Sequence, residues 1–521
     1  MNQAITIKKS GSIEVSDTPV RYSQDPTQLF HTLCGKKNNS LLLESAEIDS
    51  KENLQSLLLV DAAVRIECRG QQIVFEALSD NGQRLVEVLA HNVSNDASFS
   101  VEGPTLTLRF DEPDCGLDED SRLQQASSFD ALRLVQHSFD LSDHNKHALF
   151  IGGLFAYDLV ANFESIGEVT AENSCPDYVF YVAESLLIID HQTQSSHIQT
   201  SLFEPTQPIR AQMFARAAEL ATQCDTPTDL PAPEQLNDVP VSVDISDTEY
   251  CQSVTTLKQY IVQGDIFQVV PSRKFTLACP SPLSAYKKLK AQNPSPYMFY
   301  MQDRLFTLFG ASPESALKYE TSTNQVEIYP IAGTRARGKT STGQIDLDLD
   351  GRIELELRLD KKENAEHMML VDLARNDMAR ISQPGTRHLA DFLKVARYSH
   401  VMHLVSRVVG QLRPDLDALH AYQASMNMGT LTGAPKIRAM QLIRQTEKNR
   451  RGSYGGAVGY LTGEGSLDTC IVIRSAYVEN GIAQVQAGAG VVLDSVPQAE
   501  ADETRAKAQA VISAIQSAHM E

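Results

Sequence analysis

Tryptophan is absent from the chain, and aromatic residues make up only 7% of it. No apolar run reaches the ~18 residues that a membrane-crossing helix needs. The opening MNQAITIKKSGS has no apolar core of the kind a secretory leader requires. Basic clusters are scarce too. The nearest candidates, residues 448–451 and 361–362, are short and lie beside acids, which argues against nucleic acid or an anionic membrane as partner. Eight cysteines are spread through the chain without a C-x-x-C spacing. Neither a disulfide framework nor a zinc site is therefore expected, and a reducing cytoplasm fits. The sequons that begin at Asn38 and Asn92 then read as chance matches.

Acid is what the chain has in excess: 66 Asp+Glu against 46 Lys+Arg, for a net charge of −20. At 521 residues and 42% hydrophobic content, large cores are available, enough for two to four domains of ~100–200 residues. Residues 225–242 hold four prolines and little apolar pattern, marking a linker between an N-terminal part, 1–240, and a C-terminal part, 241–521. Strand-type runs fall at 41–43, 73–75, 106–110, 178–182, 266–270, 297–301, 305–309, 325–329, 455–461, 469–477 and 483–487. Helical stretches fall at 248–264, 283–292, 352–380 and 502–518. These mixed runs lack a strict βαβα order, so the expectation is an α+β fold with antiparallel sheets packed against helices.

Two Glu-x-x-Glu pairs, Glu363/Glu366 and Glu500/Glu503, each lie in a helical stretch, where residues three apart share a face. If the helices meet, four carboxylates converge, and a hard cation such as Mg2+ would relieve their repulsion. Solvated helix surface is the competing reading in so acidic a chain. A third pair, Glu44/Glu47, has no obvious metal partner. Residues 346–351 open like a calcium loop, but position twelve is Leu357, with Glu356 one place early, so calcium is not expected. Gly488-Ala-Gly490 starts like a dinucleotide fingerprint, but Leu493 replaces the third glycine.

Three glycine-rich turns adjoin apolar strands, at 329–338, 452–459 and 487–490. Exposed glycine lets backbone N–H groups approach an anion, and arginine pairs bidentately with carboxylate. Tyr454 and Arg474 flank the second turn, and Arg335 and Arg337 lie in the first. Plain turn chemistry remains the alternative for each. His403 sits in an apolar run, as a core residue or a catalyst. Glu314 follows a strand and a proline turn, either as a buried acid of raised pKa or as a cap.

Nine stretches in one order are similar to the chorismate-utilising enzymes: FQVVPSR (267–273), NPSPYMFYM (293–301), LFGASPES (308–315), IYPIAGTRARG (328–338), EHMMLVDLARND (366–377), VMHLVSRVVG (401–410), MNMGTLTGAPK (426–436), RRGSYGGAVGY (450–460) and QAGAGVVLDSVPQAEADET (486–504). In the N-terminal part, LLLESAEIDSK (41–51) and GGLFAYDLV (152–160) match as well. The resemblance implies that family's fold and the anthranilate-forming branch. Relatives that activate water carry lysine where Gln268 stands, and relatives with a covalent nucleophile carry it where Ala332 stands. It further implies Mg2+ held by Glu366 and Glu503 with Glu363 and Glu500 in support, Glu314 as the acid and His403 as the proton handler beside Thr334. Substrate contacts would come from Gly333, Thr334, Thr430, Tyr454, Arg474, Gly488, Ala489, Gly490 and Lys507. Neither Cys34 nor Cys175 suits a glutaminase nucleophile, so the resemblance implies a separate glutaminase subunit supplying ammonia, in a heterotetramer of two large and two small chains. An inhibitory tryptophan would bind between Glu44–Ser45 and Pro296, Tyr297 and Met298, which gives 1–240 a regulatory role and 241–521 the chorismate site.

Overall fold

The computed structural model describes residues 10–45, 54–94, 96–114, 116–141, 146–169, 173–340, 342–398 and 401–520. Its strand ladders all run antiparallel. The organising element is a long pair, Gln55–Arg69 against Tyr178–Asp190, whose register slips between Leu59 and Val64. Below the slip the pair lies between Ser40–Glu44 and Ser195–Phe203. Above it the neighbours are Gln72–Ala77 and Phe150–Phe155. Bulges of this kind bend strands, so one pair serves two sheets.

The first sheet continues from Ser40–Glu44 through Tyr297–Gln302, Thr307–Ser312, Ser475–Glu479, Ile482–Gly488 and Ser272–Ala278. The second continues from Phe150–Phe155 through Ala457–Thr462, Leu467–Ile471, Ser315–Glu320 and Gln325–Ile328 to Val401–Gln411. Between them lies a core that includes Leu41, Phe150, Phe299, Leu308, Val458 and Val472. Helices cover the outer faces: Pro26–Cys34, Pro282–Gln292 and Pro497–His519 on the first, Asp80–Asn92, Lys361–Ile381 and Ala418–Ser425 on the second. With both faces covered, Phe150–Phe155 is buried at every position, and such strands read as continuous apolar runs rather than alternations.

The expected α+β architecture is therefore present, and in each sheet the strands from before residue 240 join those from after it at one pairing, Ser40–Glu44 with Tyr297–Gln302 and Phe150–Phe155 with Ala457–Thr462. The proline-rich stretch after helix Gln207–Asp225 is irregular, as expected. It is strapped to the closing helix: Leu236 N–H donates to His519 O (2.8 Å), and Gln516 Nε2 donates to Val239 O (3.1 Å). A buried ion pair also links the two parts, with Arg65 donating to both oxygens of Asp303 (2.9 and 3.1 Å) and Tyr181 adding its hydroxyl.

Three elements differ from expectation. The helix read at 352–380 is two, Leu347–Leu359 and Lys361–Ile381, broken at Asp360, whose side chain accepts from the Lys362 and Glu363 N–H groups. An aspartate that caps the second helix competes with helical continuation. The strand read at 469–477 is also two, interrupted at Arg474, which holds φ of 47°. The closing helix begins at Pro497, before residue 502, because proline suits the first turn of a helix.

Candidate active site

The site gathers on one end of the second sheet, under helix Lys361–Ile381 and the start of helix Pro497–His519. A bulge in strand Ile331–Ala336 places Gly333 at φ 74° and sets Thr334 against His403. A Cβ on Gly333 would lie 3.1 Å from Glu363 Oε2 and from Leu357, so glycine permits the close approach of the carboxylate helix. Thr334 Oγ1 and His403 Nδ1 are 2.8 Å apart. Burial, with Arg474 nearby, pushes the His403 imidazole down to about 3, so it is neutral at ordinary pH. Its Nε2 is buried without a hydrogen-bond partner among the described residues.

Glu314 follows strand Thr307–Ser312 and is 7% exposed. Burial pushes its carboxyl up to about 8, against opposing effects of Thr430, Lys507 and Arg474. Thr430 Oγ1 donates to Glu314 Oε1 at 3.2 Å. Glu314 is thus a buried carboxyl whose pKa burial raises, and its side chain takes Thr430 as hydrogen-bond partner. Arg474 donates from its guanidinium to no protein acceptor among the described residues, although burial is strong enough to lower its pKa. A half-buried cation that has Glu314 near it but donates no hydrogen bond to it is suited to a substrate carboxylate.

The carboxylates do converge electrostatically. Burial raises Glu366, with Glu363, Glu503 and Glu500 adding to the effect and Lys362 opposing it. Burial also raises Glu500, with Glu503 adding. Each has other partners: Glu363 accepts from Arg335 (2.8 Å), Lys362 lies 3.8 Å from Glu366, and Lys507 lies 2.7 Å from Glu503. No group of three or more His, Cys, Asp or Glu side chains among the described residues stands ready to hold a metal. The donor set nonetheless fits a hard ion, being all oxygen, partly buried and mutually repelling.

The remaining expected contacts fall around this centre. Lys507 Nζ donates to Gly488 O (3.1 Å), tying the closing helix to the glycine turn. A Cβ on Gly488 would lie 3.2 Å from the Tyr454 hydroxyl, and one on Gly490 would lie 2.8 Å from Gln268 Nε2. The Ala489 N–H is turned away onto Pro271 O (3.3 Å), so that amide is not free for a substrate. Gln268 Oε1 is buried and unpartnered among the described residues. The arginines of the first glycine turn hold protein carboxylates instead of a ligand: Arg335 takes Asp360 and Glu363, and Arg337 takes Asp350. The calcium-like loop is a helix start, with Asp346 as its cap.

At the other proposed site, Glu44 pairs in register with Met298, so the two segments do adjoin. The Glu44 carboxylate is buried and accepts from Tyr286 and Lys290. Pro296 and Tyr297 lead into the same strand. Glu47 lies outside the described residues. Sequence reasoning missed Asp360 and the buried Lys436–Asp377 pair (2.7 Å), and it read Arg335 as a ligand arginine although it holds Asp360 and Glu363. Asp377 and Lys436 both lie within matched stretches, which was the available signal.

A buried acid of raised pKa, a buried histidine and a half-buried arginine that donates to no protein acceptor among the described residues thus meet beside a rim of carboxylates. A sequence profile described as chorismate binding enzyme matches residues 87–513. Anthranilate synthase component 1 of Vibrio parahaemolyticus is 70% identical over 519 residues, covering 100% of this chain and 96% of that protein. Its counterpart from Escherichia coli K12 is 58% identical, covering 96% of each. The crystal structure of anthranilate synthase component I from Streptococcus pneumoniae superposes with a TM-score of 0.69 at 29% identity, covering 89% of this chain and 93% of that one. The E. coli menaquinone-specific isochorismate synthase shares the fold at TM-score 0.69 and 18% identity, covering 98% and 97%. The chain belongs to the chorismate-binding enzyme family.

Proposed function

We propose that the chain is the chorismate-converting large subunit of an anthranilate synthase, joining ammonia to chorismate and releasing anthranilate and pyruvate. The observation that carries this reading is Glu314, a buried carboxyl held up to about 8 beside Arg474. Arg474, Tyr454 and the glycine turn at 488–490 orient the substrate carboxylates. Glu314 keeps its proton, with Thr430 occupying Oε1. As the nitrogen bonds to the ring and the ring C–O bond breaks, that proton goes to the departing hydroxyl. Release of pyruvate and loss of a ring proton then give the aromatic product. His403, steered by Thr334, handles the ring proton, once the substrate's negative charge makes the imidazole more basic. Glu366 and Glu503 would hold Mg2+, with Glu363 and Glu500 in support, and the ion would supply Lewis-acid polarisation of a substrate carboxylate. Gln268 and Ala332 offer neither a base for water nor a covalent nucleophile, which favours external ammonia. A glutaminase subunit would supply it, in a heterotetramer of two large and two small chains, in the cytoplasm.

Purified chain, chorismate, Mg2+ and ammonium salt should yield the fluorescence of anthranilate. A product without that fluorescence would sink the reading in favour of isochorismate or aminodeoxychorismate formation. The N-terminal part, 1–240, is assigned regulation by L-tryptophan at Glu44, Ser45, Pro296, Tyr297 and Met298. Ser45→Ala and Pro296→Ala should each shift the tryptophan inhibition curve to higher concentration by about tenfold, the equivalent of one lost hydrogen bond or contact, with uninhibited turnover kept. Unshifted curves in both variants would remove this regulatory site.

A further inference from the structure

Arg474 and Lys507 act on the Glu314 carboxyl through charge, and Thr430 through a hydrogen bond. Beside it lies a small cavity, lined by Glu314, Thr430, Asp377, Ala374, Leu370 and Pro330 among others. It has about 20 Å3 of room for water-sized molecules and is partly open outward. A water needs about 10–15 Å3 by that measure and two to four polar partners. Four lining residues carry polar side chains, Glu314, Thr430, Asp377 and Tyr329, and the Tyr329 hydroxyl is already committed to Glu327. Asp377 is itself buried and fixed, because Lys436 Nζ donates to its Oδ2 (2.7 Å) and to Ser425 O (2.8 Å). Arg474 and Lys507, the two cations that act on Glu314, do not line this cavity.

An acid that gives up its proton in each turnover must regain one before the next. With the substrate side covered by bound ligand, exchange with solvent needs another face. We propose that this cavity is the proton-return route to Glu314, and that Asp377 is a positioning residue that orients the water in it. The inference rests on Glu314 being the acid of the reaction. After Glu314 has protonated the departing hydroxyl, its carboxylate takes a proton from the cavity water. That water donates a hydrogen bond to the Asp377 carboxylate and is reprotonated from bulk solvent through the outer opening. No charge is left behind and no other co-reactant is needed.

Ala374→Leu fills the cavity, and Asp377→Asn keeps the shape while weakening the water's orientation. Both should lower kcat by about tenfold while leaving kcat/KM for chorismate within about twofold. The solvent deuterium isotope effect on kcat should rise as proton return becomes limiting. Asp377→Glu should recover part of the loss. A purely structural role would lower thermal stability without raising the isotope effect. If Ala374→Leu does not fold, Ala374→Val tests the same space with a smaller side chain. Parent-like kcat and isotope effect in the folded cavity-filling variant and in Asp377→Asn would overturn the route. Glu314→Gln in the same assay separates the two ideas. An active Glu314→Gln removes the acid assignment itself, whereas an inactive one beside parent-like cavity variants removes only the return route.

Discussion

Glu314→Gln is expected to lower anthranilate formation by about 10²–10⁴-fold, the range by which a positioned general acid contributes. Gln fills the same space and keeps an acceptor for Thr430, so chorismate affinity should stay close to that of the parent. The pH dependence follows from the raised carboxyl. The active form is the protonated one, fully present well below about 8 and lost as pH rises through about 8. The parent's kcat should therefore fall on the alkaline side with a midpoint near there, and the residual rate of the variant should lack that limb. Stability should move in the opposite direction. A group raised from an ordinary 4.5 to about 8 contributes its full stability below the lower value and loses it as pH rises through the upper one. Replacing it by neutral Gln should thus raise the melting temperature relative to the parent, increasingly so between those two pH values. A variant that melts higher and turns over poorly would show a group retained for chemistry at a cost in stability. Turnover within tenfold of the parent would sink the assignment.

Glu366→Gln carries the second large effect. Burial and three neighbouring carboxylates raise this residue, so removing its charge relieves repulsion in the metal-free protein. Without Mg2+ the variant should melt above the parent. With Mg2+ at 100 times its dissociation constant, the parent should gain about 2.7 kcal/mol, and the variant should gain little. Turnover should fall by about 10³-fold, the equivalent of the several kcal/mol that a Lewis acid supplies. Differential scanning fluorimetry across a Mg2+ titration reads the first effect independently of activity. A parent and variant with equal Mg2+ responses would place the ion elsewhere.

The chemistry was far more legible in the sequence than the framework that holds it. Gln268, Ala332 and Glu314 stand in stretches similar to those of the chorismate-utilising enzymes, and the matched order of those stretches pointed to them. The carboxylate pairs were visible because helical spacing fixes three-residue neighbours. Their commitments were not: Arg335 holds Glu363 and Asp360 from a strand some thirty residues away, and no periodicity encodes such a partner. For the same reason the arginines of that turn read as ligand-binding. The break at Asp360 was hidden because leucines continue a helical pattern on both sides of it. The forked strand pair was missed because Gln55–Arg69 is buried along most of its length, which erases the alternation that identifies a half-exposed strand. The cavity behind Glu314 depends on where two helices and a loop stop short of one another, which only the assembled structure reveals.

The pairing of early strands with late ones at one seam in each sheet has a consequence for how the protein is made. Strand Ser40–Glu44 waits for Tyr297–Gln302, and Phe150–Phe155 waits for Ala457–Thr462. At about 5–20 residues per second of synthesis, each intermediate edge stays unpaired on the ribosome for some tens of seconds. Both edges are rich in leucine or phenylalanine, the composition that recruits other chains. Correct maturation should therefore depend on chaperone capacity during translation, and synonymous changes that slow the ribosome between residues 160 and 297 should lower the soluble yield without altering one amino acid.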